Sequence, residues 1–251
     1  PHLFSSAASD VYKRQFIPER KILAPGDLFI WAIPNGGNPQ KVQRYISDWS
    51  EALNLMIKKE AEIMIPGHGL PIYGRERIKV ALSTTSAFLE NLEEQTLQLM
   101  NKGKSLNEVF HQVKIASEFM DNPWLKPVYD DPKFLIKMIW RRYGGWWDGE
   151  YDRLLPDTRE NEAAEWIELA GGVNKIIEKA LSNSEKGKHA LAAHLIEVAY
   201  YAEKDNEKIH LARKKIYEAI SKIQSSSMAR NIFNHASLAS AENKRDLASE
   251  D

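Results

Sequence analysis

Ile63-Met64-Ile65-Pro66-Gly67-His68-Gly69-Leu70-Pro71 is the stretch around which the rest of the chain arranges itself. A short apolar, β-prone run from Ala61 to Ile65 stops abruptly at Pro-Gly-His-Gly. That reads as a buried strand delivering one histidine onto a glycine-flanked loop at its C-terminal end. Open α/β sheets present ligand-binding and catalytic side chains in this way. An equally simple reading of the tetrapeptide is a turn with an exposed polar histidine. Upstream lies a second strand region interrupted by Gly26-Asp27, and an amphipathic helix separates the two.

The chain has 251 residues, 43% of them hydrophobic, enough for one large or two small globular domains with real cores. A formal net charge of -1, with Lys and Glu interspersed along helices, gives no electrostatic case for nucleic acid or an acidic membrane surface. With no cysteine, disulfides, thiolate zinc sites and Cys nucleophiles are excluded, and any metal must be held by His and carboxylates. No apolar run approaches the roughly 20 residues of a membrane span. The default expectation is a cytoplasmic protein.

Residues 1–15, containing Ser5-Ser6-Ala7-Ala8-Ser9 and Lys13-Arg14-Gln15, have no apolar period. They read as a disordered, non-native leader resembling translated adaptor sequence, joined to a gene truncated inside a domain. From Phe16 to Gly74 the pattern is α/β. Phe16-Ile17 and Lys21–Ala24 are short strand candidates, Pro25-Gly26-Asp27 punctuates, and Leu28–Ile33 is a near-continuous apolar run suited to a strand covered on both faces. Pro34–Pro39 is a loop, with Asn38 as the expected N-cap and Pro39 at the first position of a helix. Val42, Tyr45, Ile46, Trp49, Leu53 and Met56 give that helix one apolar face.

Residues 75–235 read as wholly helical. Arg75 to Asn101 forms one long helix stopped by Gly103, Ser105-Leu106-Asn107-Glu108 matches a capping box, and Asp131-Pro132 opens a helix ending at Tyr143-Gly144-Gly145. Helices then pair from Asn161 to Ile223, with Ala190, Ala193, Ala199, Ala212 and Ala219 allowing close packing. Met228 to Phe233 suggests one more turn, and residues 236–251 read as a polar tail.

Asp27 at a strand break and His68 at a strand end fall on the same edge of one sheet if the two strands are neighbours. The alternative for Asp27 is an ordinary Gly-Asp turn. The seven histidines are otherwise scattered, and His189 and His194, five apart, do not share a helix face. Arg44 is either a fixed cation for an anionic group or a solvated helix charge. Tyr143-Gly144-Gly145-Trp146-Trp147-Asp148-Gly149 is either a helix end whose aromatics fill a seam, or a place where Tyr143 lines an apolar pocket.

With Asp27, His68 and that aromatic signature together, the chain from Phe16 to about Phe233 resembles the alkyl sulfatase branch of the metallo-β-lactamase superfamily. The resemblance implies an α+β protein: residues 16–74 as the C-terminal piece of a metallo-β-lactamase-like α/β domain, followed by a helical alkyl-sulfatase dimerisation-like domain. It further implies hydrolysis of alkyl sulfate esters at a binuclear zinc site, Asp27 and His68 as two metal ligands, and a homodimer. Arg44 and Tyr143 are the candidate substrate contacts. Departures from the family pattern are the absent His-x-His-x-Asp-His cluster, Asp rather than Glu near residue 27, Pro-Gly-His-Gly where the family has His-His-Trp-Pro, and no sterol-carrier-like C-terminal domain. On this reading the chain is an inactive fragment of a zinc-dependent sulfuric ester hydrolase. The alternative is a helical dimerisation or protein-interaction module with a vestigial α/β segment.

Overall fold

The computed structural model describes residues 15–247. The expected leader lies outside them, except that Gln15 opens the first strand. The architecture is mostly helical with one small sheet, and the chain divides into two compact units between Tyr151 and Asp152.

The first unit holds the sheet. Strands β1 (Gln15–Ile17), β2 (Ile22–Ile30), β3 (Ile63–His68) and β4 (Ile72–Tyr73) lie in the order β1-β2-β3-β4. β2 and β3 are parallel and the two outer pairs antiparallel. The parallel pair needs a crossover, and α1 (Ile46–Ile57) supplies it, burying Ile46, Trp49, Leu53 and Met56 at helical spacing. The Trp49 indole N–H donates to the Leu28 carbonyl at 2.8 Å, so its burial leaves no donor unpaired.

Two expectations change here. Pro25-Gly26-Asp27 does not end a strand; β2 runs through it. Its pairing with β3 slips between Leu23 and Gly26 and again between Gly26 and Ile30, because Pro25 has no amide to give the ladder and Gly26 takes φ +58°. The helix also begins at Ile46, not Pro39, and Val42 is exposed rather than part of the apolar face. Asn38 is used differently from a helix cap. Its Oδ1 accepts from the Gln40 amide at 3.0 Å, and its Nδ2 donates to Asp130 Oδ1 at 2.9 Å, with both side chains buried.

The long helix α2 (Arg75–Asn101) buries Ile78, Ala81, Leu82, Phe88, Leu89 and Leu92 along one stripe. It packs on α1 and on α5 (Pro132–Gly144), and all three share one core with Phe29, Ile33 and Met64 of the sheet region. The boundary expected at Gly74 therefore falls inside this unit. Between α2 and α5 come α3 (Leu106–Gln112) and the single turn α4 (Ser117–Met120). The capping box is formed: Ser105 N donates to Glu108 Oε2 at 2.9 Å, and the Glu108 amide returns to Ser105 Oγ. Asp131 caps α5 by accepting from the Lys133 amide at 2.8 Å.

The second unit is a stack of helical hairpins: α6 (Arg159–Ala170), α7 (Val173–Glu185), α8 (His189–Ala202), α9 (Glu207–Lys222) and α10 (Ser227–Ala241). Its core is Ile177, Ala180, Ala192, Ile196, Ala199, Ile209, Ala212 and Ile216. α10 is longer than the one turn expected, and the segment read as a tail from Ala236 is helical to Ala241, with Ser237, Ala239 and Ser240 buried. The sequence pattern hides the end of this helix because buried Ser237 and Ser240 make polar contacts there. Buried Arg213 of α9 donates through Nε to Glu197 of α8 at 2.6 Å and through Nη1 to Ser240 Oγ of α10 at 2.6 Å. Tyr217 donates its hydroxyl to the same Glu197 oxygen at 2.8 Å and stacks on Phe233. Burial and the adjacent Glu197 carboxylate push the Tyr217 phenol well above its ordinary range. No helix among the described residues is long and apolar enough to cross a membrane.

Two stability tests follow from these buried polar groups. Removing one partner of a buried ion pair strands the other, so Arg213→Met should cost about 3 to 5 kcal/mol. Adding Glu197→Gln should recover part of that loss, with both read from urea midpoints. Asp130 tests the pH dependence. Burial lifts its carboxyl from the usual range to about 6, against the pull of the Asn38 bond and the Arg44 charge and with Asp131 adding to the rise. The folded state therefore holds this proton more tightly than the unfolded one, and the contribution is lost as pH climbs from about 4 through about 6. Relative to Asp130→Asn, the native chain should lose about 1 to 3 kcal/mol across that window. Parallel pH profiles for the two proteins would show the residue ionised freely in the fold.

Candidate functional site

Asp27 and His68 are brought together. The pair Ile30–His68 ends the β2–β3 ladder, and the slip in β2 turns Asp27 toward the same edge. His68 Nε2 lies 3.5 Å from Asp27 Oδ1, and both side chains are mostly exposed, at 77% and 62%. Two glycines make this approach possible. A Cβ on Gly67 would stand 2.2 Å from Asp27 Oδ1 and 2.8 Å from the Gly26 carbonyl carbon. One on Gly69, at φ +101°, would meet the Trp31 ring at 2.0 Å. Trp31 is held in place by its indole N–H, which donates to the Leu70 carbonyl at 2.8 Å.

The pair opens onto a groove of about 640 Å³. Asp27 and His68 are part of its lining, and Lys41 and Arg44 supply cations to it. Trp31, Ile30, Val128 and Tyr129 give it an apolar and aromatic surface. Arg44 is anchored by donating from Nη1 to the Asn35 carbonyl at 2.7 Å, and its own amide donates to Gly36 at 2.9 Å. A cation fixed in this way keeps a planar fork ready for an oxyanion. Lys41, Trp31 and Tyr129 were not singled out from the sequence. Their signal was spatial: Lys41 follows a breaker-rich loop, and Tyr129 sits some sixty residues past His68 before α5.

Tyr143 is not among the residues lining this groove. Its hydroxyl donates to Glu93 Oε1 at 2.8 Å, and Arg142 lies over its ring at 5.4 Å. Burial first, then the Glu93 bond, push its phenol upward. The aromatic signature after it is a self-tied loop. Trp140 Nε1 donates to the Trp147 carbonyl at 2.9 Å, Trp147 Nε1 to the Glu150 carbonyl at 3.0 Å, and the Leu106 amide to the Asp148 carbonyl at 2.7 Å. Gly149, at φ +87°, passes so near Ser105 that a Cβ would sit 3.1 Å from its Cα.

The other described histidines stand apart from the groove. His189 faces Ser184, His210 is buried against the Lys204 carbonyl, and His235 meets Asp246 at 2.6 Å. Among the described residues no three His, Asp or Glu side chains cluster closely enough to hold a metal ion. Asp27 and His68 alone give two donors, whereas zinc sites use three or more from the protein, so the pair does not fit a zinc ion by itself.

The chain is 29% identical over 160 residues to a linear primary-alkylsulfatase of Pseudomonas sp. (strain ATCC 19151), covering 63% of this chain and 30% of that one. It is 22% identical over 236 residues to an (R)-specific secondary-alkylsulfatase of Pseudomonas sp., covering 92% of this chain and 35% of that one. The chain thus spans about a third of the length of these relatives. The solved structure of a stereoselective inverting sec-alkylsulfatase from Pseudomonas sp. superposes with a TM-score of 0.85 at 21% identity, over 91% of this chain and 37% of that one. That likeness establishes a shared fold. The family model for alkyl sulfatase dimerisation matches residues 105–243, more than half of the 251 residues, and the chain belongs to that family.

Proposed function

We propose that this chain is part of a sulfuric ester hydrolase of the alkyl sulfatase kind, in which the groove beside Asp27 and His68 receives an anionic ester with an apolar tail. The observation that carries this reading is the pairing, in one groove, of Lys41 and Arg44 with Trp31, Ile30, Val128 and Tyr129. A sulfate head needs fixed cationic donors, and an alkyl tail needs apolar wall. The βαβ unit of β2, α1 and β3 then corresponds to the end of a metallo-β-lactamase-like domain. Asp27 and His68 are two donors of a binuclear zinc centre whose remaining donors lie outside these 251 residues, and the chain by itself hydrolyses no ester. Tyr143 has no place in this scheme, since its hydroxyl is bonded to Glu93 and it does not line the groove.

The second reading, a dimerisation module, is favoured by the family match itself, which covers residues 105–243 and not the sheet. The two are compatible: the helical region brings two copies together, and the groove belongs to each copy.

Both parts are open to measurement. Because a lone His–carboxylate pair binds zinc weakly, the purified chain should lose added zinc on dialysis, and retention of one ion per chain would overturn the two-donor account. Self-association should appear as a dimer at about micromolar concentration, with a melting temperature that rises with protein concentration. A monomer by sedimentation at that concentration, with a concentration-independent melt, would reject the homodimer.

A further inference from the structure

The cationic wall of the groove is carried by a segment with almost no regular structure. Between the end of β2 and the start of α1 the only ladder contact is an isolated bridge from Asn38 to Lys41, yet this stretch bears both Lys41 and Arg44. Val128 and Tyr129, which face the same groove, come from another irregular stretch just before α5. A wall built from two loops has no geometry of its own unless something ties them together.

Three ties run from the first loop to the second and to α5. The Ile33 amide donates to the Lys126 carbonyl at 3.2 Å, Gln43 Nε2 to the Met138 carbonyl at 2.9 Å, and Asn38 Nδ2 to Asp130 Oδ1 at 2.9 Å. The third differs in kind, because Asn38 and Asp130 are only 4% and 1% exposed. Asp130 Oδ2 is buried and makes no hydrogen bond. A carboxylate held in this way costs free energy, and an apolar pair could fill the same space more cheaply. Capping does not explain it, since Asp131 caps α5. Arg44 is near enough for its charge to act on Asp130, which links the buried pair to the cation of the groove.

We propose that Asn38 and Asp130 are positioning residues for the groove. Their buried bond fixes the loop bearing Lys41 and Arg44 against the segment bearing Val128 and Tyr129, and so sets the affinity for an anionic head joined to an apolar tail. The inference rests on the groove being the ester site.

The test uses the full chain, octyl sulfate as the probe, and the variants Asn38→Ala, Asp130→Ala and the exchanged pair Asn38→Asp with Asp130→Asn. The exchanged pair keeps a donor facing an acceptor across the same gap. Loss of one buried hydrogen bond should raise amide exchange at Ile33 and Arg44 about tenfold and weaken octyl sulfate binding in calorimetry about tenfold. The exchanged pair should return both to within about threefold of the native chain. A purely structural role would lower the melting temperature of the single variants while leaving the affinity of the folded protein unchanged, and that result overturns the proposal. Should the single variants fail to fold, the exchanged pair decides. Binding restored to within about threefold supports the positioning role, and a loss of about tenfold in a folded exchanged variant overturns it. If the native chain itself binds no octyl sulfate, the groove reading fails and the positioning role falls with it. Native binding with unaltered variants removes the positioning role alone.

Discussion

The absence of a side chain at Gly67 is the constraint on which the site depends. β3 lies against the irregular stretch of β2 so closely that a single methyl group there would collide with the Asp27 carboxylate and the Gly26 backbone. Because glycine occupies the position, the two strands can stay parallel and adjacent through the slip at Pro25-Gly26 and still bring Asp27 and His68 to 3.5 Å. The slip and the glycine answer one another. A regular β2 would leave Asp27 alternating with its neighbours along the pleat, and a side chain at residue 67 would push β3 away from it.

The two units solve the same problem with different chemistry. In the first, the core is apolar, and the polar ties fix α1 on β2 and place loops: Trp49 on the Leu28 carbonyl, Trp31 on the Leu70 carbonyl, Asn38 on Asp130. In the second, small residues let the helices approach, and the polar cluster of Arg213, Glu197, Tyr217 and Ser240 fixes which helix meets which. Alanine-rich faces pack closely but with little selectivity, since many registers fit them equally well. A buried charged cluster has one arrangement that leaves no group stranded, so it sets register where the apolar contacts do not.

This division also explains what could be read from the sequence. α2 and the capping box at Ser105 were legible to the residue, because apolar spacing and cap chemistry are local signals. Two strands around an amphipathic helix were legible too, as was the placing of Asp27 and His68 on one sheet edge if those strands are neighbours. What escaped were the features held by side-chain hydrogen bonds to partners distant in the chain. Asn38 has the composition of a helix cap and the position for it, but Asp130, far along the sequence, claims its amide group. The end of α10 looked like a tail because Ser237 and Ser240 are polar, and nothing nearby shows that Arg213 and the Lys214 carbonyl bind them. Lys41 and Tyr129 join the site only once the fold has brought their loops together.

Position within the first unit also separates two sets of aromatic residues. Trp31 lies in an apolar run and the Tyr143–Trp147 run is interrupted by glycines, and of the two only Trp31 reaches the groove. It follows β2 directly and is packed over Gly69, so the strand ends that place Asp27 and His68 also place it. Tyr143 lies in the last turn of α5 and Trp147 just beyond it, and their hydrogen bonds go to Glu93 and to the loop itself. Their role is to hold α5 against α2 and the start of α3. Since α5 begins at the residue after Asp131, next to the buried Asp130, they support the groove from the opposite end of the helix. The aromatic run, readable from sequence as a helix end or as a substrate contact, thus ties α5 to its neighbours, and the single tryptophan after β2 lines the groove.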